Sequence, residues 1–200
     1  MVTNNENGMR KRRSPEAITS RLSARMKSIK KTARQIQADN LQRSSPLRDD
    51  FILMAHNIRS LHNVGSLFRS ADAFGVCRLW LTGYTPRPPR AEISKTALGA
   101  EEHVPWSAAD RPEAVLTELR HEGYRIYGLE QTLRSESLLS HRPPSRKICL
   151  IIGNEVTGID EALFPLIDEF VEIPQFGMKH SLNVSVAAGV ALYAFLEKLA

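Results

Sequence analysis

Apolar positions along this chain follow two different spacings. From Ser14-Pro15-Glu16 onward, Ile18, Leu22, Met26, Ile29, Ala33 and Ile36 recur at helical spacing. This predicts an amphipathic helix with Ser14 as its cap and Pro15 in its first turn, ending near Leu41 before Ser44-Ser45-Pro46. Beyond it, short apolar runs alternate with helical stretches. Residues 51–55, 77–81, 125–129, 148–152 and 170–173 read as strands. Residues 64–74 and 111–122 read as helices, 160–166 as a short helix, and 182–199 as a long helix apolar on nearly every side. The Pro-rich, basic stretch 84–96 reads as a loop. Strands separated by helices predict an α/β domain with a mainly parallel sheet flanked by helices. The division that follows is a basic extension over 1–48, with a disordered start, and a body over 49–200.

Composition narrows the class. A chain of 200 residues that is 42% hydrophobic can bury a real core. Two cysteines, Cys77 and Cys149, exclude a disulfide scaffold and a Cys-rich zinc module. No uncharged apolar run is long enough for a membrane span, and no apolar stretch follows the basic N-terminus as in a secretory signal. The expected compartment is the cytoplasm. Charge is uneven: residues 1–50 carry twelve Lys/Arg against five Asp/Glu, whereas the rest carry fifteen against seventeen. A basic arm on a near-neutral body suggests a polyanion, with nucleic acid the first candidate and a solubilising tail the plain alternative. The arm's apolar stripe lacks Trp and Phe, which argues against a membrane surface.

Three stretches do not read as ordinary core. The first runs from Asn57 to Gly75, following the first strand and opening a helix. It places Asn63 and Gly65 at a helix start, where backbone N–H groups are free. Arg69 lies farther along an otherwise apolar face, either half-buried and seeking an anion or exposed and snorkelling. The second, Leu150 to Ile159, takes an apolar strand into Gly153, Glu155 and Gly158. Ligands in open α/β sheets bind beyond the carboxyl ends of strands, and Gly153 would allow close backbone approach there. No dinucleotide-binding or P-loop glycine pattern is present. The third, Ile173 to Tyr193, leads through Gly177 into a helix. Ser181 is its candidate cap, and Asn183 and Ser185 are polar groups inside it that need partners. A last helix so apolar suggests a subunit interface.

Taken in order, Asn63-x-Gly65-x-x-x-Arg69, Gly153-x-Glu155-x-x-Gly158 and Ile173-Pro174-x-x-Gly177-x-x-x-Ser181-Leu182-Asn183-Val184-Ser185 resemble the three motifs of the SpoU (TrmH-like) RNA 2′-O-ribose methyltransferases, in the SPOUT superfamily. The resemblance covers about residues 51–198, and the segment from Arg90 to Ala100, with Lys95, also looks like the family's. It implies a C-terminal trefoil knot, a homodimer, and S-adenosylmethionine as methyl donor. By position it implies Gly153, Ile173 and Leu182 at the donor site, with Leu129 a further candidate. It makes Arg69 the catalytic arginine, supported by Asn63, Glu155, Ser181 and Asn183. It calls for no metal, and His56, His62 and His180 form no ligand set. With RNA as substrate, Arg10, Lys11, Arg12, Arg13, Arg21, Arg25, Lys30, Lys31 and Arg34 become candidate RNA contacts. Transfer RNA is preferred to ribosomal RNA. A catalytically inactive, RNA-binding relative is the alternative.

Overall fold

The computed structural model describes residues 30–200, and these fall into two compact units divided between Arg43 and Ser44. In the first, α1 (Ala33–Leu41) ends where the apolar spacing predicts, but the predicted helix does not run unbroken into it. Lys30 to Thr32 are not helical. Thr32 ends the non-helical stretch by capping: its side chain accepts from the Gln35 N–H, and the Gln35 side chain accepts from the Thr32 N–H. No residue of α1 is buried. The portion of the predicted helix over 14–29 lies outside the described residues, as does the stretch 1–14.

The second unit is built on seven strands. They are β1 (Phe51–His56), β2 (Arg78–Thr82), β3 (Trp106–Ala109), β4 (Arg125–Leu129), β5 (Glu136–Ser137), β6 (Ile148–Ile152) and β7 (Glu169–Glu172). The sheet order is β3-β2-β1-β6-β4-β7-β5, and every pairing is parallel. The helices are α2 (Leu61–Phe74), α3 (Ala91–Ala97), α4 (Pro112–His121) and α5 (Val184–Leu199). Helix α2 packs against both α3 and α5.

Both faces of the sheet are covered, which is why its central strands are unbroken apolar runs rather than alternations. Phe51, Leu53 and Ala55 of β1 join one core with α2, α3 and α5, while Ile52 and Met54 face a second core with α4. Strand β6 divides the same way, with Leu150 on the first side and Cys149 and Ile151 on the second. Phe195 of α5 packs against Phe51 and Tyr127 at ring-centroid distances of 5.3 and 5.6 Å.

Several expectations are corrected. The stretch 84–96 is not all loop, because α3 begins at Ala91 and buries Ile93 and Ala97 one turn apart. Strand β3 and the two-residue β5 add to the five strands that the apolar runs predict. The segment Glu161–Leu166 is a 3-10 helix, carrying Pro165 within it. Helix α2 begins at Leu61, with Ser60 as its cap accepting from the Asn63 N–H.

Gly65 therefore stands inside α2 and not at its start, and it serves packing. A Cβ there would lie 2.1 Å from Thr96 Oγ1 and 2.2 Å from the Ile93 carbonyl oxygen. Only a residue without a side chain lets α3 approach so closely, and Thr96 Oγ1 then donates to the His62 carbonyl at 2.9 Å. Gly65→Ala is expected to cost about 1–3 kcal/mol by overpacking. Urea unfolding checks this as a lowered midpoint at unchanged slope.

Candidate functional site

One polar residue from each of the three sequence stretches, Asn63, Glu155 and Asn183, joins a cluster beyond the carboxyl ends of β1 and β6. Glu155 is the hub. Its carboxylate accepts from the Arg59 N–H at 3.2 Å, the Ser60 N–H at 3.4 Å and Asn63 Nδ2 at 2.8 Å. Two of these donors precede α2, where backbone N–H groups have no helical partner and an anion is favoured. Burial would raise the Glu155 pKa, but the hydrogen bonds from Asn63, Arg59 and Ser60 outweigh it and hold the carboxyl below its ordinary range. Asn63 passes the linkage on: its Oδ1 accepts from Asn183 Nδ2 at 3.1 Å. One hydrogen-bonded chain thus joins Glu155, Asn63 and Asn183.

Asn183 is the cap of α5 and not an interior residue. Its Oδ1 accepts from the N–H groups of Ser185 and Val186 and from Ser185 Oγ. This removes the expectation that Ser181 caps the helix. Ser181 is exposed, and its side chain has no hydrogen bond among the described residues. Of the five candidate catalytic residues, the geometry brings together Asn63, Glu155 and Asn183; Ser181 and Arg69 stand outside this cluster.

Behind the hub lies a network that the sequence did not single out. Asn57 takes a left-handed conformation at φ 56°, which asparagine tolerates better than most residues. Its Nδ2 meets His56 Nε2 at 3.0 Å and its Oδ1 accepts from the Tyr84 N–H at 3.2 Å. An amide donating to Nε2 leaves the His56 proton on Nδ1, where it donates to Thr82 Oγ1 at 3.0 Å. Burial lowers the His56 pKa against the attraction of Asp160 and Glu113, which favours the neutral ring. Asn154 Nδ2 donates to the Asn57 carbonyl and to the Tyr84 hydroxyl, and Asn154 Oδ1 accepts from the N–H groups of Val156 and Thr157. That clamp shapes the turn carrying Glu155. The signal in the sequence is an Asn just beyond each of the two strands, Asn57 directly after β1 and Asn154 one residue farther from β6.

Gly153 serves this turn directly. A Cβ there would lie 2.3 Å from Gly158 carbonyl atoms and from the Ile159 nitrogen. The close approach it permits is thus to the chain's own backbone, and the Asn154–Gly158 pair of hydrogen bonds closes the loop. Glu130 buttresses it from β4's side by accepting from the Ile159 N–H at 3.0 Å.

Three of the four candidate donor-site residues lie at the ends of adjacent strands. Gly153 follows β6, Leu129 ends β4 and Ile173 follows β7. Leu129 and Ile173 are half-buried against the first core, and Leu182 is 42% exposed. This is a partly covered apolar lining at the carboxyl edge of a parallel sheet, with strand-end backbone groups beside it, which suits a mixed apolar and polar cofactor.

Arg69 is exposed on α2, so of its two readings the solvent-facing one applies. It has no ion pair among the described residues. It lines a pocket of about 460 Å³ with Ser66, Ser70, Phe74, Lys95 and Thr96. Of the candidate RNA contacts, Lys30, Lys31 and Arg34 are described and exposed, and Lys31 pairs with Asp39. Arg10, Lys11, Arg12, Arg13, Arg21 and Arg25 lie outside the described residues. Among the described residues no three His, Cys, Asp or Glu side chains are grouped to hold a metal ion, and no helix is long and apolar enough to cross a membrane.

Comparison with known proteins adds the following. The model of the SpoU rRNA Methylase family matches residues 50–193. The chain is 32% identical over 147 residues to the tRNA (guanosine(18)-2'-O)-methyltransferase of Aquifex aeolicus (strain VF5), covering 72% of this chain and 67% of that protein. It is 32% identical over 142 residues to a 23S rRNA (guanosine(2553)-2'-O)-methyltransferase of Bacillus subtilis (strain 168), covering 71% of this chain and 56% of the other. Among solved structures, the TrmH/SpoU tRNA modifying enzyme of A. aeolicus superposes with a TM-score of 0.69 at 27% identity, covering 77% of each chain. An AdoMet-bound rRNA methyltransferase from Sinorhizobium meliloti gives 0.69 at 25% identity, covering 76% of this chain and 57% of that one.

Proposed function

Because this chain belongs to the SpoU rRNA methylase family, we propose that it transfers a methyl group from S-adenosylmethionine to a ribose 2′-hydroxyl of tRNA or rRNA. The observation that carries the reading is the Glu155–Asn63–Asn183 chain, which links all three motif segments at one edge of the sheet. The matched relatives are named as guanosine 2′-O-methyltransferases of tRNA and of 23S rRNA, and an AdoMet-bound enzyme shares the fold.

Leu129, Ile173 and Leu182 would hold the donor by apolar contact, with backbone groups beside Gly153 and Ile173 reading its polar parts. When bound there, S-adenosylmethionine supplies a methyl group on a sulfonium, open to in-line attack by the ribose oxygen, so that the O–C bond forms as the S–C bond breaks, the neutral thioether leaves and the hydroxyl proton passes to water. The chain's own residues must then orient that oxygen and stabilise the charge developing on it. Arg69 takes this part. Its planar guanidinium fork can grip a phosphate and steady an alkoxide. Asn63, Glu155 and Asn183 fix the helix that carries Arg69, and exposed Ser181 stands free to meet the ribose.

Three finer features belong to the same proposal. The exposed side of α5, with Val186 and Val190 and with Tyr193 against Phe74, is read as the homodimer interface. The path from β7 back to α5 on α2, past a loop whose Gln131 donates to the His180 carbonyl at 2.8 Å, is read as a trefoil knot. The basic arm is read as adding salt-sensitive affinity for structured RNA, with tRNA preferred, and the reaction is placed in the cytoplasm.

The test is direct. The full chain is incubated with methyl-labelled S-adenosylmethionine and bulk tRNA or rRNA, and the RNA is digested to nucleosides. Label on 2′-O-methyl nucleosides is expected, most of it in the tRNA reaction. Donor binding without transfer to either RNA would favour the inactive, RNA-binding alternative, and label on a base would overturn the reaction assigned.

A further inference from the structure

We propose that Lys95 is a second phosphate-binding residue, which with Arg69 seats one RNA phosphodiester in the pocket between α2 and α3. The inference rests on the RNA reading above and deepens it.

The pocket is a product of the tight packing at Gly65. Because α3 lies against α2 with no side chain between them, Thr96 Oγ1 reaches the His62 carbonyl and the register of the two helices is fixed. Lys95 is the neighbour of Thr96, and Arg69 stands one turn along α2 from Gly65. Both side chains consequently line the same pocket of about 460 Å³, together with the hydroxyl-bearing Ser66 and Ser70 and the ring of Phe74. The pocket is open to solvent, so an RNA backbone can reach it.

Charge indicates what the pocket takes. Two cations sharing one pocket repel, and a folded protein ordinarily relieves this with an acid. The acids nearest in sequence are Asp72, three residues after Arg69, and Glu92, three before Lys95. Neither forms an ion pair with them, and among the described residues neither Lys95 nor Arg69 has any carboxylate within 4.0 Å. An incoming anion would relieve the repulsion. Arg69 offers a planar fork and Lys95 a mobile point charge, a pairing suited to a phosphodiester's two free oxygens. The Ser70 hydroxyl can donate to the same oxygens, while the Ser66 hydroxyl donates to the His62 carbonyl at 3.0 Å. Lys95 would thereby set where the RNA backbone lies relative to Arg69.

The experiment compares wild type with Lys95→Ala and Lys95→Arg, using bulk tRNA as the probe. Binding is measured across a salt series, and methyl transfer is measured as separate KM and kcat. Lys95→Ala is expected to raise the KM for tRNA about tenfold and to lower the slope of log affinity against log salt by about one unit. Affinity for S-adenosylmethionine should stay unchanged, and Lys95→Arg should restore most of both RNA readouts. Unchanged KM and slope in Lys95→Ala would overturn the proposal. Equal impairment of both variants with a lowered melting temperature would also overturn it, as a packing role. If the wild type transfers no methyl group, the enzymatic reading fails by itself, and the salt slope alone still decides whether Lys95 meets a phosphate.

Discussion

Arg69→Ala is expected to reduce methyl transfer by about 10²–10³-fold while S-adenosylmethionine binds as before, the scale seen when one preorganised donor to a developing oxyanion is removed. The split between chemistry and donor binding follows from position. Arg69 projects from α2 into the pocket shared with Lys95, whereas Leu129, Gly153 and Ile173, read as the donor site, stand at the ends of β4, β6 and β7. Being exposed and without an ion pair among the described residues, Arg69 leaves no orphaned acid behind when truncated. Its removal should cost little stability. Arg69→Lys keeps the charge and loses the fork, and is expected to recover only part of the rate. Single-turnover transfer beside calorimetric titration of the donor measures both quantities. A rate within threefold of wild type in Arg69→Ala would remove Arg69 from the reaction.

Glu155→Ala should act on stability and activity together. It strands the N–H groups of Arg59 and Ser60 and the Asn63 amide. The site is only half-buried, so water can return to some of these donors, and the expected cost is about 1–3 kcal/mol. The larger effect falls on transfer, because Asn63 then loses its anchor and so does Asn183 behind it. Glu155→Gln preserves shape but can turn an N–H₂ group toward the donors, so it should rescue incompletely. The carboxyl also makes stability depend on pH. Its folded-state pKa is depressed, so the hydrogen-bonded carboxylate contributes fully above the unfolded value, about 4.3 for glutamate. That contribution is lost as pH falls through the lower folded-state value. Urea midpoints measured from neutral to acid pH should fall more steeply for wild type than for Glu155→Ala.

The sequence made the central strands legible because burial on both faces forces unbroken apolar runs, as in Phe51 to Ala55 and Ile148 to Ile152. Elements at the margins were harder to read. Strand β3 has four half-buried residues and no clear period, and β5 has only two residues. Helix α3 spans seven residues after a Pro-rich stretch, and its two buried positions, Ile93 and Ala97, form too short a stripe to register. At the site, Asn63, Glu155 and Asn183, which meet through side chains, are legible through the resemblance to the family's three motifs. Asn183 was foreseen as polar and in need of partners, but an Asn at 183 reads equally as interior or cap until the helix start is known. His56, Asn57 and Asn154 were missed because their role depends on hydrogen bonds between residues nearly thirty to one hundred positions apart, which no local pattern encodes.

The strand order bears on how the chain comes to be folded during its synthesis. Strand β1 has β2 on one side, made soon after it, but its other neighbour is β6, where Ile148 pairs with Phe51. Strand β4 likewise waits for β6. A nascent chain that ends before residue 148 holds both flanking strands and lacks the one between them, so two apolar edges stay open while the middle of the chain is being made. Because the turn bearing Glu155 follows immediately after β6, closing the sheet and assembling the polar hub would be nearly the same event. A ribosome that stalls before that point should leave a chain with neither.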